Sequence, residues 1–121
     1  MPGKYIRKEL RIPVDNLPIK YKSLHVLLSE RKKLSVHTAD ASLHGIGLLT
    51  KDSTSEINIG NVIKLDLFGQ EQIVYGKVVY LKSGFGMTRI GLSIENIGAY
   101  NEYKSDIKQI MKRKKKDNNT G

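Results

Sequence analysis

Ile63, Leu65 and Leu67 alternate with Lys64 and Asp66, a two-residue period that puts the aliphatic side chains on one face of an extended strand and the charges on the other. The same period recurs in short runs along the chain. Leu34, Val36 and Thr38 form one run, Ile46, Leu48 and Thr50 another, Ile73 to Leu81 a third, and Ile90, Leu92 and Ile94 a fourth. A looser alternation through Ile19, Tyr21, Leu24, Val26 and Leu28 predicts a further long strand with an irregularity near Ser23. Turn-forming stretches separate the runs: the charged cluster Glu30 to Lys33, the segment Asp40 to Gly45, the polar Lys51 to Glu56, Gly69-Gln70, and Ser83-Gly84-Phe85-Gly86. Six short antiparallel strands with one apolar face each bury that face most readily by closing on themselves, so the expected fold is an all-β, six-stranded antiparallel barrel. Gly76, inside the fifth strand, marks a bend of the kind that curves a barrel wall.

The period changes after Gly98. Tyr100, Tyr103, Ile107 and Ile110 fall at helical spacing and predict a C-terminal amphipathic helix whose apolar stripe packs on the barrel. At the other end, Pro2, Gly3, Pro13 and Pro18 interrupt regular structure and Asp15-Asn16 favours a turn, so residues 1–17 read as a flexible basic arm. The expected organisation is arm 1–17, barrel 18–97, helix 98–116 with a basic end, and a disordered tail 117–121.

Charge narrows the class of partner. Lys and Arg number 21 against 12 Asp and Glu, for a formal charge of +9, which favours anions such as nucleotides, nucleic acid or acidic protein surfaces. The excess sits at the ends: Lys4, Arg7, Lys8 and Arg11 against Glu9, and seven basic residues from Lys104 to Lys116 against Asp106. The run Lys112 to Lys116 reads as a solvated helix end, favoured by the negative end of the helix dipole. The chain contains no cysteine, which excludes thiol catalysis, disulfides and cysteine-bearing zinc sites. His25, His37 and His44 have no acidic partners at metal-ligand spacing, so no metal and no cofactor are expected. Gly-rich phosphate loops, nucleophile elbows and paired catalytic carboxylates are missing from the sequence, which argues against an enzyme. No run approaches the roughly 18 apolar residues of a membrane span, and the N-terminus does not resemble a signal peptide, so a cytoplasmic protein is expected.

Two patterns sharpen this reading: Arg7-Lys8-Glu9-Leu10-Arg11 and, about thirty residues on, Asp40-Ala41-Ser42-Leu43-His44-Gly45. In that order they resemble the PilZ domain family, marked by Arg-x-x-x-Arg in an N-terminal loop followed by Asp/Asn-x-Ser-x-x-Gly at a barrel turn. The resemblance extends from Arg7 to the closing helix. It implies a receptor for the second messenger cyclic di-GMP, with Arg7, Arg11, Asp40, Ser42 and Gly45 as ligand-binding residues and Lys4, Lys8 and His44 as additional candidates. The chemistry is consistent with that assignment. A guanidinium fork matches the O6 and N7 acceptors of guanine and also serves phosphate. The opposite guanine edge carries donors, which a carboxylate such as Asp40 and a hydroxyl such as Ser42 can accept.

The resemblance further implies that the arm folds over the ligand and alters docking to a protein effector, with motility, exopolysaccharide or biofilm output. In relatives that hold a stacked ligand pair, a basic residue precedes the first Arg; here that position is Ile6, which points to one ligand per protomer. A monomer is favoured over an oligomer. The competing readings are a small basic barrel that binds nucleic acid, which a steep loss of affinity with salt would mark, and a PilZ-like protein-interaction module without ligand, against which the paired arginines weigh. For Asp40 and Ser42 the plain structural role is capping their own turn, which is compatible with binding. Gly91 reads as a packing glycine of the barrel.

Overall fold

The computed structural model describes residues 10–29, 31–68 and 72–120, with side chains up to Arg113. Seven strands and two α-helices follow in the order β1 (Ile12–Pro13), a 3-10 turn at Val14–Asn16, α1 (Ile19–Lys22), β2 (Leu24–Leu27), β3 (Lys33–Ala41), β4 (Gly45–Thr50), β5 (Val62–Asp66), β6 (Val74–Gly84), β7 (Met87–Gly98) and α2 (Tyr100–Thr120). Six of the strands run β3-β2-β5-β6-β7-β4 and close where β4 pairs back onto β3, all antiparallel. The expected six-stranded barrel with a C-terminal helix is the observed architecture. The two-residue β1 is an addition, pairing Ile12 with Ala41 and Pro13 with Asp40 alongside β2.

Alternation fills the interior. Val26, Leu34, Val36, Ile46, Leu48, Leu65, Val74, Val78, Ile90 and Leu92 are all buried there. At Gly76, where a bend was expected, the β6–β7 register shifts, and a Cβ would meet the Leu92 side chain at 2.9 Å. Gly76 thus leaves the volume that Leu92 fills.

Three expectations differ from the structure. The long strand expected from Ile19 to Leu28 is divided into α1 and β2, because Leu17, Tyr21 and Leu24 are buried while Ile19 is exposed, and the strand period resumes only from Leu24 to Val26. That spacing of four and three is helical, and Pro18 opens the turn, accepting the Tyr21 N–H at its carbonyl. The end of the expected arm is also structured: Ile12 and Leu17 are in the core, and only residues 1–9 of that segment lie outside the described residues. At the C-terminus α2 carries the backbone to Thr120, through positions 117–120 that were expected as tail. Among the described residues no helix is long and apolar enough to cross a membrane.

Candidate ligand-binding site

On the outer wall of the barrel a polar cluster is produced by two departures from strict alternation. In β3, Leu34, Val36 and Thr38 point inward, so an unbroken strand would also turn Asp40 into the core. The β3–β4 register slips between Thr38 and Asp40. The extra residue reverses the phase, placing Ala41 inside and Asp40 on the outer face. In β6 the same thing happens after Val78: the β6–β7 register slips between Val78 and Tyr80, Leu81 packs against the core, and Tyr80 lies outside. Two bulges therefore bring an acid and a phenol to one surface.

The side chains then connect. Arg11 Nε donates to Asp40 Oδ1 at 3.1 Å, Nη2 lies 2.9 Å from the same oxygen, and Nη1 donates to Ser42 Oγ at 3.1 Å. The other Asp40 oxygen accepts from Arg89 Nη2 at 2.9 Å, while Arg89 Nε donates to the Tyr80 hydroxyl at 2.8 Å. Asp40 is thus held between two guanidinium groups, one oxygen for each. The hydrogen bond to Tyr80 pushes the Arg89 pKa up against the lowering effect of burial, and Asp40 adds to the rise, so its charge is permanent.

Glycines form the floor. Gly47 and Gly91 are register partners on β4 and β7, both on the outer face. A Cβ on Gly47 would come within 2.9 Å of Asp40 Oδ1 and 3.2 Å of Arg89 Nη2, and one on Gly91 would fall 2.0 Å from the Tyr80 ring. These residues let the polar groups lie flat on the wall. At Gly45 the fit is looser, with the Leu92 carbonyl oxygen at 3.2 Å, Arg11 Nη1 at 3.4 Å and Ser42 Oγ at 3.5 Å from a built Cβ. Gly45 is not left-handed, so the close approach of the Leu92 carbonyl, with Arg11 beside it, is what favours glycine there.

Of the residues singled out from sequence, Arg11, Asp40, Ser42 and Gly45 come together. His44 is exposed on the same turn, and its carbonyl accepts from the Ile94 N–H. Arg7, Lys4 and Lys8 lie outside the described residues. Sequence reasoning missed Arg89, Tyr80 and Gly47. Arg89 was legible as an outward residue, out of phase with Ile90 and Leu92, but its meeting with Asp40 required knowing that β7, β4 and β3 are neighbours.

The PilZ domain family model matches residues 5–113, nearly the whole chain. The protein belongs to the PilZ domain family. Comparison with curated proteins finds no match. Among solved structures, the PilZ domain of YcgR from Escherichia coli, with c-di-GMP, has a TM-score of 0.59 at 16% identity over 95% of this chain and 98% of that one. The Bacillus subtilis inhibitor of motility (MotI/DgrA) has a TM-score of 0.60 at 16% identity, covering 94% of this chain and 56% of that one. PlzA of Borreliella burgdorferi, in complex with c-di-GMP, has a TM-score of 0.63 at 17% identity, covering 89% and 42%. This chain therefore spans about half the length of the latter two proteins, and the likeness establishes the shared fold.

Proposed function

We propose that this protein is a cyclic di-GMP receptor without enzymatic turnover, and that Arg11, Asp40, Ser42 and Gly45, with Arg7 from the preceding segment, form its ligand site. The observation that carries the reading is the convergence of Arg11 on Asp40 and Ser42 across some thirty residues of chain. Guanidinium donors beside carboxylate and hydroxyl acceptors match a guanine, which offers acceptors on one edge and donors on another. Membership of the PilZ family and the ligand named for two of its structural neighbours support the same conclusion.

Arg89 extends the site beyond the two sequence patterns. Its side chain is about a third exposed beside Asp40, and it supplies a second described cation for a phosphate or a guanine. In this reading the segment before Ile12 closes over the ligand and changes the face offered to a cytoplasmic protein effector. Ile12 is buried against β3, so the hinge falls between Arg11 and Ile12. The arm of the switch is thus shorter than the seventeen residues expected from sequence, and the barrel begins at β1.

Calorimetric titration with cyclic di-GMP, cyclic di-AMP and GTP tests the reading. Preference for cyclic di-GMP is expected, with Arg11→Ala weakening it by roughly ten- to over a hundredfold, the worth of a hydrogen bond to a charged group. Lys8→Ala should change it far less. No binding of cyclic di-GMP, or equal binding of all three nucleotides, would overturn the assignment.

A further inference from the structure

The Ser42–Gly45 turn is held from behind by a residue that neither sequence pattern contains. Tyr103, on the first turns of α2, is fully buried, and its hydroxyl donates toward two backbone carbonyls, Ser42 at 2.7 Å and Gly45 at 2.8 Å. The Ser42 N–H donates to the same Gly45 carbonyl at 2.8 Å. One phenolic proton thus serves two oxygens in a dry site, of which the Gly45 carbonyl also accepts the Ser42 N–H. The two carbonyls belong to the first and last residues of the turn, so the hydroxyl fixes the separation of its ends. That separation sets where Ser42 Oγ and the close approach at Gly45 fall relative to Arg11.

The helix carrying Tyr103 is also clipped one turn further on. Tyr21 of α1 packs against the Tyr103 ring, with centroids 6.4 Å apart, and its hydroxyl donates to Asp106 at 2.9 Å. Lys20 pairs with the same Asp106 oxygen at 2.9 Å. The seating of α2 and the shape of the turn are therefore one packing arrangement.

We infer that Tyr103 is a positioning residue of the ligand site, and that through it ligand binding and the docking of α2 are thermodynamically linked. The inference rests on the cyclic di-GMP reading and adds a second responding element to the arm: the C-terminal helix with its basic end. Linkage is reciprocal, so a ligand that requires the turn in this shape must tighten α2, and loosening α2 at Tyr103 must weaken the ligand.

The test compares the full-length wild type, Tyr103→Phe and Tyr21→Phe by calorimetry with cyclic di-GMP, together with amide hydrogen exchange. Both variants delete one phenolic oxygen from adjacent rings, but only Tyr103 touches the turn. Tyr103→Phe should lower affinity roughly three- to tenfold, the worth of one neutral hydrogen bond, and Tyr21→Phe, which loosens α2 without touching the turn, should lower it by less. In the wild type, saturating ligand should slow exchange at the α2 amides from Tyr103 to Ile110. Wild-type affinity in a folded Tyr103→Phe protein, or a larger loss in Tyr21→Phe than in Tyr103→Phe, overturns the inference. Should Tyr103→Phe not fold, wild-type exchange decides it, and α2 amides unmoved by ligand are the contrary result. Failure of the wild type to bind cyclic di-GMP at all is a different outcome, which removes the ligand assignment itself.

Discussion

Two tight turns of this barrel, Ser42–Gly45 between β3 and β4 and Gly84–Met87 between β6 and β7, reverse the chain by opposite means. At the β6–β7 tip the backbone does the work: Phe85 and Gly86 both take positive φ, at 55° and 76°, the Phe85 side chain is wholly exposed, and nothing lies within 4 Å of a Cβ built on Gly84 or Gly86. The β3–β4 turn uses no left-handed residue among Ser42 to Gly45. Its shape comes from the Tyr103 hydroxyl, the Ser42 N–H and the flanking ladder. A turn made by its own dihedrals can stand clear of the fold. One held by distant partners reports on them, which suits a turn proposed to meet a ligand.

The contrast is sharpest for an inserted residue. A glycine between Leu43 and His44 separates the two carbonyls and disrupts three hydrogen bonds, for a loss of roughly 2–4 kcal/mol, whereas one between Phe85 and Gly86 should stay within about 0.5 kcal/mol. Urea unfolding midpoints at unchanged slope would show it, and equal costs would erase the distinction between the turns. Next in size is Gly91→Ala, at the base of the open hairpin. Its methyl group would overlap the Tyr80 ring and expel it from Arg89, costing about 1–3 kcal/mol; in a Tyr80→Ser background the same change should be much milder.

At the hairpin tip, Phe85→Asn should be neutral or stabilising by a few tenths of a kcal/mol, because Asn tolerates the left-handed region that Phe resists. The smallest effect near neutrality concerns Tyr21, on the held side. Burial, and then the Asp106 carboxylate, raise its pKa above any ordinary phenol. Its contribution to stability is therefore complete below the unfolded value of about 10 and is lost as the pH climbs beyond it, by about 1.4 kcal/mol per unit. Thermal melts of Tyr21→Phe should show a shallower alkaline decline than wild type.

Legibility followed the same division. The strand interiors were readable because Leu34, Val36, Leu65, Ile90 and Leu92 obey one period and leave one face apolar. The tip at Ser83 to Gly86 was readable because its glycines act locally. Asp40 and Ser42 were recognised through a family pattern, but their place on the outer wall depends on a bulge that no local propensity announces, in a strand that runs on to Ala41 past the Asp40 expected to open the turn. Tyr103 was readable as part of an apolar stripe, and its ring does pack inward; the target of its hydroxyl was set by tertiary contact. The segment Ile19–Lys22 misled because alternation over four residues is also one turn of a helix, and only the burial of Leu17 and Leu24 decides between them.

The sharing of Asp40 has an electrostatic consequence. Arg11 and Arg89 contribute two positive charges and Asp40 one negative, so the described cluster carries a net +1. If Arg11 swings away to grip an arriving dianion, Asp40 is not stranded, for Arg89 still neutralises it. The hand-over thus leaves no bare carboxylate beside a phosphate, and the cation that departs is free to follow its new counter-charge.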